Sequence, residues 1–92
     1  MFEPFIITDH AIERYLERIG SSKKEVMKRI KKDLHYSKVK RIVNKGKYRY
    51  VFTFNSKEFI FVKDNGRWIL RTVIKRNRKK SEQAIQERLR TA

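Results

Sequence analysis

Cysteine is absent from this chain, which excludes disulfides, thiolate metal ligation and a thiol nucleophile. Glycine occurs three times and proline once, and no Gly-rich phosphate loop is present. No internal repeat or low-complexity linker divides the 92 residues, which fit one domain. No stretch approaches the length of a membrane span. The opening residues, Met1-Phe2-Glu3-Pro4, lack the basic and long apolar segments of a signal peptide. A cytoplasmic protein with no membrane partner is expected. Histidine occurs twice, so any metal site would need scattered acids, and Asp9 and His10 are adjacent rather than on one helical face. Neither a metal nor another cofactor is expected. Acids are scarce, at ten Asp and Glu.

Positive charge is abundant. Twenty-five Lys and Arg give a formal net charge of +15. Self-repulsion makes that excess costly for a compact fold. A polyanionic partner offsets the cost, because phosphates held by Lys and Arg release condensed counterions. Nucleic acid is the leading partner class. Residues 1–20 are net negative, and the basic surface runs from there to the C-terminus.

Hydrophobic spacing predicts the elements. Ile12, Tyr15, Leu16 and Ile19 share one helical face, with Asp9 as N-cap, Thr8 as its competitor and Gly20 as the stop. Ser22 and Glu25 have capping-box spacing ahead of a stripe of Val26, Met27, Ile30 and Leu34. Strands are predicted at 38–44, 48–54, 59–63 and 67–75, joined by turns at Asn44-Lys45-Gly46-Lys47, Asn55-Ser56 and Asp64-Asn65-Gly66. Ser81 is read as the N-cap of a short helix over 82–90. The expected fold is α+β: two N-terminal helices packed on one face of a four-stranded antiparallel sheet, with a short C-terminal helix. Residues 1–75 would form the domain, and 76–92 a basic tail and short helix.

The stretch Ile7-Thr8-Asp9-His10-Ala11-x-x-Arg14-x-x-x-Arg18-x-Gly20, then a helix with Glu25-Val26, resembles a group of small bacterial and phage domains. Tyr48-Arg49-Tyr50 and the hairpin closing on Arg71-Thr72-Val73 fit the same pattern. The resemblance spans about residues 6–75 and is similar, at a distance, to the RelE and BrnT toxins and the barnase-like nuclease fold. It implies a toxin-type endoribonuclease that cuts RNA without metal, by attack of a 2′-hydroxyl on the adjacent phosphate. An acidic antitoxin is the partner it implies beside RNA.

The residues themselves supply candidates. His10 and Arg14 lie at i and i+4, opposite the Ile12–Leu16–Ile19 stripe. Histidine suits acid–base cleavage of a phosphodiester, and an arginine beside it holds the phosphate. Local capping or packing is the bland alternative for His10. His35, at the end of the second helix, is read as a dipole partner. Alternation places Arg67, Arg71 and Lys75 on one strand face with Ile69 and Val73. The expected site is His10, Arg14 and Arg71 as catalytic residues. Arg49, Tyr50, Arg67, Lys75, Arg76, Arg78, Lys79 and Lys80 are the expected nucleic-acid contacts, with Tyr50 able to stack a base. Two other readings remain open. One is a non-catalytic nucleic-acid-binding regulator of a phage or mobile element. The other is a protein-interaction module that inhibits an acidic host factor.

Overall fold

A computed structural model of the chain describes residues 5–19 and 22–90. Strand β1 (Phe5–Ile7) leads into helix α1 (Asp9–Ile19) and then α2 (Lys23–Asp33). A 3-10 turn at Tyr36–Lys38 precedes β2 (Val39–Lys45), β3 (Tyr48–Thr53), β4 (Lys57–Asp64) and β5 (Arg67–Lys75), and α3 (Arg78–Arg90) closes the described chain. The architecture is α+β, as expected. The sheet, however, has five strands in the order β1-β5-β4-β3-β2, and it is mixed. Strands β2 to β5 form the expected antiparallel meander, while β1 pairs parallel with β5, Phe5 opposite Trp68 and Ile7 opposite Leu70. Three residues are too few to show a period, so local pattern could not reveal β1.

Turn chemistry sets the meander. Asn65 and Gly66 both have positive φ, at 49° and 76°, so Asp64–Arg67 is the type I′ hairpin that Asn-Gly favours. The α1 start differs from the Asp9 expectation. Thr8 is the cap: its Oγ1 accepts from the Ala11 amide at 3.2 Å and donates to the Leu70 carbonyl at 2.8 Å. One hydroxyl thus starts the helix and pins it to β5. Ser22 accepts from the Glu25 amide at 3.4 Å, as the capping-box spacing predicts. The expected stop at Gly20 lies outside the described residues.

The helices divide over both faces of the sheet, which corrects the one-sided packing. Helices α1 and α2 bury Ala11, Ile12, Tyr15, Val26, Ile30 and Leu34 against Val51, Phe59, Phe61, Leu70 and Val73. Met27, expected in that stripe, is instead exposed. Alternation sends Val43 and Phe52 to the other face, where Ala84 and Ile85 of α3 cover them. The C-terminal helix begins a turn earlier than 82. Asn77 is its cap, taking the Lys80 amide at 2.8 Å, and Ser81 is buried inside it. Glu58, fully buried on β4, is ion-paired to Arg76 and to Arg88, the latter at 3.1 Å. That triad ties α3 and its lead to the sheet. A second buried group lies on the first face: Lys57 Nζ donates to Asp33 Oδ2 at 2.7 Å, and Tyr15 donates to the same oxygen at 2.9 Å. Burial, then the hydrogen bond and charge of Asp33, push the Tyr15 hydroxyl well above its ordinary range.

Candidate active site: a basic cleft at a strand bulge

The site begins with a shift of register. Ile60 pairs with Thr72 but Phe61 pairs with Leu70, so Arg71 is the extra residue of a β-bulge. A bulge bends its strand and re-aims the side chain it carries. It also changes which residues share a face. Leu70 and Val73 both enter the first core, whereas strict alternation would separate them. The expected stripe of Arg67, Arg71 and Lys75 with Ile69 and Val73 is therefore broken. Residues before the bulge keep one parity and those after it take the other.

The pairing of β1 ends at Leu70, next to the bulge, and leaves the outer edge of β5 open beyond it. Helix α1, anchored there through Thr8, lies alongside that edge. The result is a cleft of about 470 Å³ lined by His10, Arg14, Ile60, Arg71, Thr72 and Ile74. All three expected catalytic residues come together in it. Ile60 and Ile74 supply its apolar part, and Thr72 brings a hydroxyl.

His10, Arg14 and Arg71 are all exposed, and Arg14 reaches Glu17 on its own helix at 3.5 Å. An ion pair that exposed is weak and yields readily to a better anion. Arg71 has no carboxylate partner among the described residues. Two guanidinium groups around an imidazole suit a phosphodiester: the guanidiniums donate forked hydrogen bonds to its oxygens and the imidazole moves a proton. Among the described residues no cluster of three or more His, Asp or Glu is placed to hold a metal ion.

The other expected contacts scatter, and several serve the fold. Arg49 donates to Asn44 Oδ1 at 2.8 Å and its guanidinium stacks 4.2 Å from the Trp68 ring centre. Tyr50 is half-buried beside the second core, with the Arg88 guanidinium 4.0 Å from its ring centre. Arg76 is committed to Glu58. Arg67 is exposed at the β4–β5 hairpin, Lys75 is exposed at the end of β5, and Arg78, Lys79 and Lys80 are exposed on the first turn of α3. His35 caps the 3-10 turn, its Nδ1 taking the Ser37 amide at 3.3 Å, rather than serving the end of α2. Thr72, Ile60 and Ile74 were not foreseen as site residues. Their place depends on the bulge, for which the sequence carries no local signal.

Comparison of the chain with known protein families, with curated proteins and with solved structures finds no match to any of the three. No helix among the described residues is long and apolar enough to cross a membrane.

Proposed function

We propose that this domain binds RNA and cleaves it without a metal ion in the cleft between α1 and the bulge of β5. The observation that supports this reading is the meeting of His10, Arg14 and Arg71 in one cleft of a chain with net charge +15. The neutral His10 imidazole takes the proton of a ribose 2′-hydroxyl. The 2′-oxygen attacks the adjacent phosphorus and the bond to the 5′-oxygen breaks. That oxygen leaves with its electron pair and takes a proton from the imidazolium or from water. The products are a 2′,3′-cyclic phosphate and a 5′-hydroxyl. Arg14 and Arg71 bind the non-bridging oxygens and offset the charge that builds on them in the transition state. This is the chemistry implied by the resemblance to RelE-type toxins, and an acidic antitoxin would be its natural inhibitor.

A second reading is a non-catalytic nucleic-acid-binding regulator. It is favoured by the single imidazole of the cleft, since cleavage is fastest when base and acid are separate groups. The deciding experiment incubates purified protein with end-labelled RNA and DNA in EDTA. His10→Ala and Arg71→Ala variants run beside it. Cleavage of RNA alone is expected, reduced on the order of 10²-fold or more in each variant. Intact RNA that is still shifted in a gel would select the regulator. Absence of any binding at physiological salt would leave an acidic protein as the partner.

A further inference from the structure

The sheet has a second bulge, and it too carries a cation. Val39 pairs with Thr53 but Arg41 pairs with Phe52, so Lys40 is the extra residue on β2. It borders a pocket of about 290 Å³ between the β3–β4 turn and the start of α3. Arg78, Ser56 and Ser81 also line that pocket, beside Glu82 and Phe54. Glu82 is ion-paired to Lys40, so the two cancel and Arg78 leaves the pocket net positive. The first turn of α3 adds the positive end of a thirteen-residue helix.

Two further observations point to a ligand. Ser81 is only 6 % exposed, yet its hydroxyl makes no hydrogen bond among the described residues. No fully enclosed polar side-chain atom among them lacks a partner, so that hydroxyl is open to the pocket it lines. Solvent reaches that hydroxyl, so it can bond a ligand oxygen without breaking a hydrogen bond inside the protein. The second observation is Phe54, a large apolar ring that is 67 % exposed at the mouth. The Phe54 amide bonds the Lys38 carbonyl at 2.9 Å, which brings the 3-10 turn and its Tyr36, 73 % exposed, to the same end of the sheet. Exposed rings beside a cationic pocket are the components of a single-strand site, where bases stack and phosphates are held.

We infer that this pocket binds a backbone phosphate of single-stranded RNA through Arg78, Ser81 and the α3 N-terminus, while Phe54 stacks the neighbouring base. The inference rests on the RNA-binding reading above and gives it a second point of contact. The two sites are joined along β5. Thr72 lines the cleft, and the Arg76 amide bonds the Ser56 carbonyl at the pocket at 3.0 Å. The span from Thr72 to Arg76 is roughly 13 Å of extended chain, within reach of a few nucleotides.

The test is a binding titration with a fluorescein-labelled ten-nucleotide 2′-O-methyl oligouridine, which 2′-hydroxyl attack cannot cleave, and with an abasic strand of equal length. Phe54→Ala is expected to weaken the base-bearing strand roughly ten-fold and leave the abasic strand unchanged. Arg78→Ala is expected to weaken both and to lower the salt slope by about 0.7. Both test residues are exposed, and far-UV circular dichroism checks that the variants are folded. Unaltered affinity in Phe54→Ala, with tight binding by the parent protein, overturns the inference and leaves the cleft standing. Failure of the parent protein to bind either strand overturns both.

Discussion

At the residue scale, two buried charge groups set what single changes do. Asp33 accepts from Tyr15 and Lys57 at once, and its other oxygen takes the Asn55 side-chain amide at 3.3 Å. Removing one member of such a buried pair strands the other charge. Asp33→Ala should cost about 3–5 kcal/mol in urea unfolding, and Lys57→Met should cost less. The Tyr15 hydroxyl gives a pH signature. Its proton is held more tightly in the folded than in the unfolded chain. Above the ordinary tyrosine value of about 10 the unfolded state therefore binds fewer protons, and stability falls as pH rises. Tyr15→Phe should flatten that alkaline decline, read as the urea midpoint against pH. Glu58 divides the basic residues in a similar way. Arg76 and Arg88 are spent on it, whereas Lys79 and Lys80 are exposed. Arg76→Ala should lower the melting temperature with little change in the salt slope of RNA binding. Lys79→Ala or Lys80→Ala should leave stability alone and lower the slope by about 0.7 each.

At the element scale, α3 is a structural layer as well as a carrier of basic residues. Its Ala84 and Ile85 cover Phe52 and Val43, which are almost wholly buried. Truncation after Lys75 would bare both side chains, at roughly 1.5–3 kcal/mol each. It would also leave Glu58 without Arg76 and Arg88. The shortened chain should unfold at markedly lower urea and bind a hydrophobic dye. A truncated chain as stable as the parent would show that the second core contributes little. The apolar face of this helix looks thin in sequence because it uses one alanine, one isoleucine and the partly buried Leu89. Aromatic and β-branched residues on the sheet supply the rest of that contact. Bulges act at the same scale. Each inserts one cationic residue into a strand and aims it at a concavity, Arg71 at the cleft and Lys40 at the second pocket.

At the scale of the whole molecule, the charge excess finds two outlets along one edge and end of the sheet. The cleft opens beside β5, and the second pocket lies where β2, the β3–β4 turn and α3 meet. Between them runs the end of β5. A polyanion lying along that path would meet cations at both ends and exposed rings at the second.

The α+β class, the meander of β2 to β5, the Asn65-Gly66 turn and the basic surface are determined by the sequence itself. They depend on neighbours within a turn or a hairpin, and local spacing records those. His10 and Arg14 were legible as a pair for the same reason, being one helical turn apart. Their meeting with Arg71 was decided only by tertiary structure. It requires a parallel strand formed by Phe5–Ile7, a hydroxyl bond from Thr8 to Leu70, and one extra residue opposite Ile60 and Phe61. Each of these joins residues some ten to sixty positions apart. A strand's own periodicity holds no information about the register of its partner, so the chain had to fold before the cleft existed.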